Sequence, residues 1–279
     1  MSAANHTIRK FNRFELKYLL TLRQAEQFKS ALRAYMTPDE HGHNDGRYAL
    51  TSLYFDSPDL RCYWEKEYGL RFRRKLRIRR YETGEPLTEA TPVFVEIKQR
   101  VDRVTQKRRA VLTYGDALRL CLDRQLPECE PEDRPVVEEI YAFLWQYNLR
   151  PMSIVRYDRQ AFIGSDYDIG LRVTFDSALS FQMQRLSLHE EPSALPMLPS
   201  HQVVMEIKIN EHMPIWLTEW IADQNLKMVR VSKYCRSIEA AQNMPALRWN
   251  SLPAESSEEA LASSLSVFSR LEHKLGIGR

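Results

Sequence analysis

From residue 71 to residue 80, the odd positions are Arg71, Arg73, Lys75, Arg77 and Arg79, while Phe72, Leu76 and Ile78 fall on even ones. A β-strand sends alternate side chains to opposite faces. The segment therefore reads as a strand with one apolar side and one cationic side. The same two-faced pattern recurs. Residues 14–18 put Glu15 with Lys17, and residues 93–98 set Glu96 and Lys98 against Val93, Val95 and Ile97. Residues 155–159 align Tyr157 with Arg159, residues 171–176 align Arg172, Thr174 and Asp176, and residues 203–209 align Glu206 with Lys208. One such strand alone also fits a solvated sheet edge. Six of them point to a sheet with one apolar and one charged face.

The helical segments decide which face is inside. Residues 21–36 carry Thr21 and Gln24 at capping-box spacing and an apolar stripe of Leu22, Ala25, Phe28 and Leu32. Residues 135–147 (Val136, Ile140, Phe143, Leu144) and 214–224 (Ile215, Leu217, Trp220, Ile221) repeat the helical period. Ser232 is a good N-cap for a further helix over 233–243. These helices need an apolar surface to cover. If they take the apolar faces of the strands, the charged faces turn toward one another. The expected fold is α+β: an antiparallel β-barrel or deep trough with a basic lumen and helices outside. Small barrels fill their interior with side chains or enclose a ligand, so a cationic lumen implies a polyanion. The expected domain spans residues 8–242. Residues 243–279 are expected to form a linker and an amphipathic helix, with Ser256 and Glu259 at capping-box spacing and Leu261, Leu265, Phe268, Leu271 and Leu275 on one face.

Composition narrows the picture. The 279 residues are 43% hydrophobic, enough for a sizeable core, and 40 Lys and Arg against 37 Asp and Glu leave a net charge of +3. The basic character is local, which weighs against nucleic acid as a partner. No apolar run of about 18 residues predicts a membrane span, and residues 1–10 lack the apolar core of a signal peptide. Cys62, Cys121, Cys129 and Cys235 show no paired spacing and read as reduced thiols, in keeping with a cytoplasmic protein. P-loop, GxGxxG, GxSxG and HExxH patterns are absent. His41-Gly42-His43 has a metal-like spacing but falls in a polar loop and is set aside. Triphosphate binding would have to come from guanidinium and ammonium groups.

Several motifs carry a resemblance. Phe14-Glu15-Leu16-Lys17-Tyr18, Ser52-Leu53-Tyr54-Phe55-Asp56, Lys75-Leu76-Arg77-Ile78-Arg79, Val95-Glu96-Ile97-Lys98, Arg156-Tyr157-Asp158-Arg159, Met205-Glu206-Ile207-Lys208 and Ser232-Lys233-Tyr234 follow one another along the chain. In this order they resemble the VTC domain, the catalytic domain of a polyphosphate polymerase within the triphosphate tunnel metalloenzyme (CYTH-like) superfamily. The resemblance implies an antiparallel tunnel that transfers the terminal phosphoryl group of a nucleoside triphosphate such as ATP to inorganic polyphosphate. It implies Lys17, Arg77, Arg79, Lys98, Arg159, Lys208 and Lys233 as the residues that hold the phosphates. It also implies Tyr157, Ser232 and Arg109 (or its neighbour Arg108) as substrate contacts, and Glu206 as the ligand of Mn²⁺ or Mg²⁺. Glu15 and Glu96 are candidate bases or ion-pair partners of Lys17 and Lys98. Asp56 and Asp176 read as strand-end or ion-pair residues outside the site. The ExExK signature of the superfamily survives only as Glu15-Leu16-Lys17, with Arg13 at the first position; this counts against a two-metal hydrolase. Two alternatives remain: hydrolysis of triphosphates in the same tunnel, and a non-catalytic polyanion-binding module. Oligomeric state leaves no sequence signature.

Overall fold

The computed structural model describes residues 14–243, apart from 103, 166–167, 190–193 and 211. The helix expected beyond residue 243 lies outside the described residues. The first half of the chain comprises β1 (Phe14–Thr21), α1 (Leu22–Leu32), β2 (Met36–Pro38), α2 (His43–Gly46), β3 (Arg47–Asp56), α3 (Arg61–Glu67), β4 (Phe72–Glu82), β5 (Pro92–Val101) and β6 (Val104–Thr113). The second comprises α4 (Tyr114–Cys121), α5 (Arg134–Gln146), β7 (Arg150–Gly164), β8 (Arg172–Gln182), β9 (Leu195–Pro196), β10 (Gln202–Ile209), α6 (Ile215–Asp223) and α7 (Lys233–Gln242).

The strands form one antiparallel sheet in the order β1-β10-β8-β7-β3-β4-β5-β6, with β2 and β9 paired to β7 and β8. The α+β class and the strand parities stand. The closed barrel does not: β1 and β6 end the path, and among the described residues no ladder joins them. Along β6, Gln106, Lys107, Arg108 and Arg109 are exposed, and charged edge strands resist backbone pairing. The sheet curls into a trough whose rims meet through side chains.

The convex face carries two apolar cores. In one, Leu53, Leu76, Ile78, Val95 and Ile97 pack under Ala117 and Leu120 of α4 and Val137, Ile140, Phe143 and Leu144 of α5. In the other, Val173, Phe175, Met205 and Ile207 pack under Ala25, Phe28 and Leu32 of α1 and Leu217 and Ile221 of α6. Each fully buried large side chain contributes roughly 1.5–3 kcal/mol. Covering this face leaves the polar parity on the concave side.

Local signals set the helix boundaries. The Thr21–Gln24 capping box starts α1 as expected. Ser232 caps α7, its Oγ accepting from the Cys235 amide. Nothing in the patterning anticipates α3, whose N-cap is Leu60 at φ 58° with no side-chain cap. Its first amides are satisfied from a distance: Asp56 accepts from Cys62 N at 2.8 Å and Tyr63 N at 3.0 Å. Asp56 also accepts the Tyr234 hydroxyl at 2.5 Å, which ties α3 to α7.

Candidate functional site

Strand register brings the expected residues onto one face. On β4, Arg77 and Arg79 lie beside Tyr54 and Ser52 of β3, and Arg77 lies opposite Glu96 of β5. Lys98 continues the row beside Lys75 and Lys107, and Glu96 faces Arg109 of β6. On the other side of β3, Arg159 of β7 pairs with Asp176 of β8. Glu206 and Lys208 of β10 lie opposite Lys17 and Glu15 of β1. One extra residue on β8 shifts the β7–β8 register just past this pair, between Arg156 and Asp158, where Ala178 takes φ 50°. Bulges of this kind redirect side chains near binding sites.

The seventh cation arrives from a helix. After α6 the chain bridges to Tyr18 at Met228, and Val229 N donates to Lys17 O at 2.8 Å. Lys17 Nζ donates to Val231 O at 2.9 Å. The segment then reaches β4, where Lys75 Nζ donates to Ser232 Oγ at 2.7 Å. This strap runs from one rim of the trough to the other strand group and starts α7 over the concave face. Lys233 Nζ consequently reaches Asp176 Oδ2 at 2.5 Å. Tyr234 stacks on Tyr54 at 5.4 Å, and Ser237 Oγ meets Ser153 Oγ at 2.8 Å. Thus α7 fills the end of the trough where β3 ends and β7 begins.

Every carboxylate on this face is shared among cations. Glu96 Oε2 accepts from Arg77 at 2.6 and 2.8 Å, and Lys107 approaches Oε1 at 3.3 Å. Asp176 takes a two-pronged contact from Arg159, at 2.6 and 2.8 Å. Glu206 lies 3.3 Å from Lys208 and 3.7 Å from Arg159. Glu15 bridges Lys17 and Lys98, both at 2.9 Å. Arg79 donates to Tyr157 OH at 3.0 Å and Ser52 Oγ at 3.3 Å. The Tyr157 ring lies under Lys233 Nζ at 4.6 Å. Among the described residues, the concave face holds Lys17, Lys75, Arg77, Arg79, Lys98, Lys107, Arg109, Arg159, Arg172, Lys208 and Lys233 against Glu15, Glu96, Asp176 and Glu206. Of these cations, only Arg172 has a carboxylate from beyond the strand face, Asp39.

Protonation follows from this crowding. Burial pushes the Glu96 carboxyl up, but Arg77, Arg79 and Lys107 outweigh it and hold it at about 2. Burial likewise raises Glu206, and Lys208, Lys17 and Lys233 overcome it, holding Glu206 well below the carboxylate range. Glu206 raises Lys208, yet burial and the Arg159 guanidinium bring the ammonium down to about 8. Burial raises the Tyr54 phenol, and Arg77 and Arg79 bring it down to about 8.

Three placements refine the sequence reading. Arg109 is on the concave parity but exposed on the edge strand, its guanidinium 4.7 Å from the Phe94 ring. Its neighbour Arg108 turns outward to Glu139 of α5. The Ser232 hydroxyl is already engaged as a helix cap and as the acceptor of Lys75. The exposed Arg71, at the strand entrance, pairs with Asp102. Sequence reasoning left out Lys75, Lys107, Arg172, Tyr54 and Asp176. Lys75 and Asp176 carried the signal already, because each shares the parity of the residues chosen. Tyr54 and Lys107 are legible only once β3 and β6 are known to flank β4 and β5.

For a divalent cation the carboxylates are the relevant donors. Glu15 and Glu206 lie close enough for each carboxylate to act on the other's ionisation. Among the described residues no group of three His, Cys, Asp or Glu side chains gathers as a complete metal cage. Two adjacent carboxylates still suit Mg²⁺ or Mn²⁺, hard ions that take one or two carboxylates and complete their shell with phosphate oxygens and water.

The family model of the VTC domain matches residues 12–242. No curated protein matches the chain. Among solved structures, a provisionally assigned adenylate cyclase from Bacillus halodurans shares 15% identity over 79% of this chain and 95% of its own, with a TM-score of 0.45. A protein from Pyrococcus horikoshii OT3 shares 13% identity over 82% of this chain and 99% of its own, with a TM-score of 0.42.

Proposed function

Because the chain belongs to the VTC domain family, we propose that it is a polyphosphate polymerase of the triphosphate tunnel type. In this reading it transfers the terminal phosphoryl group of ATP, or another nucleoside triphosphate, to a growing polyphosphate chain. The observation that carries the reading is the shared concave face of Lys17, Arg77, Arg79, Lys98, Arg159, Lys208 and Lys233. Like charges this dense favour an anion with many charges in a row.

Phosphoryl transfer depends on positioning and charge neutralisation more than on covalent help. Arg77, Arg79 and Arg159 are suited to grip successive phosphates with their planar forks. Lys17, Lys98, Lys208 and Lys233 add point charges along the path. Tyr157 orients Arg79 and lies beneath Lys233. A phosphate acceptor is already ionised, so transfer to it requires no general base, whereas water would require one. Glu206, with Glu15 beside it, would hold Mn²⁺ or Mg²⁺. When bound, such an ion polarises phosphoryl oxygens and neutralises developing charge.

The domain of this activity is proposed to span residues 8–242. Among the described residues no helix is long and apolar enough to cross a membrane. We place the protein in the cytoplasm, where nucleoside triphosphates are at hand and its four unpaired cysteines stay reduced. The second reading is hydrolysis of triphosphates in the same trough. It is favoured by α7, which fills one end and leaves less room for a long product. Incubation with ATP and Mn²⁺, followed by separation of phosphate products by length, tests one reading against the other.

A further inference from the structure

On the convex side, away from the trough, α1 and α6 lie side by side over the second core. Phe28 of α1 is buried at their junction, Tyr35 stands just past the end of α1, and α6 contributes Trp216, Glu219, Trp220 and Asp223. Between them lies a cavity of about 200 Å³. The rings of Tyr35 and Trp216 stack at 4.3 Å and 4°, and Phe28 meets Trp220 edge-on at 3.9 Å. Tyr35 remains 48% exposed, so this aromatic wall is open to a ligand.

The carboxylates at this cleft are placed at a local cost. Glu219 and Asp223 are four residues apart on one helix face, a like-charge arrangement that weakens a helix. Asp223 is the last residue of α6, where the helix dipole disfavours a negative charge, and no basic residue stands in that last turn. Both side chains are exposed. A cation between them would relieve both penalties at once. The rings supply what a flat cation needs besides charge, because a guanidinium stacks on Trp and Tyr faces. The volume is below the roughly 300–1,000 Å³ of a drug-sized ligand pocket and suits one long side chain.

We propose that the cleft between α1 and α6 is a docking site for an arginine side chain of a partner polypeptide. Charge complementarity selects the occupant: two carboxylates, and among the described residues no basic group, line an aromatic slot. The site is separate from the trough and does not depend on its chemistry.

The test uses the full chain, titrated with a short acetylated and amidated arginine peptide and with the same peptide carrying citrulline, which keeps the shape and loses the charge. NMR follows the indole N–H signals of Trp216 and Trp220. Expected is a saturable shift of both signals with the arginine peptide. Citrulline should bind at least about fivefold more weakly, and Glu219→Gln with Asp223→Asn should weaken the arginine peptide by a similar factor. These surface changes leave the core untouched, so unaltered tryptophan signals in the free variant confirm its fold. Equal binding of citrulline, full binding by the double variant, or no saturable shift would each overturn the proposal.

Discussion

Lys98 on β5 and Glu15 on β1 meet at 2.9 Å, although six strand pairings separate them around the sheet. Only a strongly curled sheet brings them together. The trough is thus fastened across its open side by an ion pair, where a closed barrel would use a backbone ladder. Side chains release and re-form more readily than a ladder, so this seam is the compliant part of the wall.

Removing the fastening carboxylate has a defined consequence. Glu15→Ala frees both Lys17 and Lys98 for an anion. Triphosphate should bind at least as tightly to the variant as to the native protein, measured by calorimetry. Loss of binding would mean that Glu15 organises the site more than it competes with ligand.

The arginines of β4 form the proposed clamp. Triphosphate or polyphosphate should raise the melting temperature by mass action. Each charged contact contributes roughly 1.5–3 kcal/mol, so Arg77→Ala with Arg79→Ala should erase most of the ligand-induced rise. The free variant also leaves Glu96 with fewer partners and should melt lower. An undiminished ligand-induced rise would exclude these arginines as the clamp.

Metal chemistry separates from anion binding at Glu206. Glu206→Gln keeps the shape and removes a negative charge from the proposed phosphate site. Polyphosphate binding should persist or strengthen, while ATP turnover with Mn²⁺ falls steeply. Lys233→Ala should instead weaken binding and turnover together. Native turnover and native Mn²⁺ dependence in Glu206→Gln would shift the ligand role to Glu15.

Two groups set an alkaline limit. Lys208 loses its proton near pH 8, and the Tyr54 phenol ionises near the same value. As pH rises through 8 the trough loses positive charge and gains a phenolate, so triphosphate affinity should fall. Stability of the free protein moves the opposite way. Both folded values are below their ordinary ones, 10.5 for Lys208 and 10.0 for Tyr54, so between about 8 and 10 the unfolded chain binds more protons and folding gains as pH rises. Melting curves from pH 7 to 9.5, with and without triphosphate, should show the two trends diverge. Lys208→Arg and Tyr54→Phe should each flatten part of both. Parallel trends would contradict the assignment.

Strand parity made most of this site legible. Arg77, Arg79, Lys98 and Glu206 could be placed on one face because each alternates with a buried apolar neighbour, such as Ile78, Ile97 or Ile207, and Arg159 joined them through its shared parity with Tyr157. Parity says nothing of closure, which depends on whether β1 and β6 find each other. Nor does it reveal α3, whose amides are capped by Asp56 from outside the helix. Lys75 and Asp176 shared the right parity but were passed over, since only the strap from Met228 to Ser232 brings α7 into contact with both. Such contacts between distant segments leave no local trace.

The central claim is that this trough elongates polyphosphate. The most direct measurement supplies ATP labelled on its terminal phosphate, with Mn²⁺, and resolves the labelled products by length. The account predicts label in a ladder of chains longer than triphosphate, released ADP, and loss of the ladder when Arg77 and Arg79 are replaced by alanine. Label recovered solely as orthophosphate would contradict it and make the protein a hydrolase.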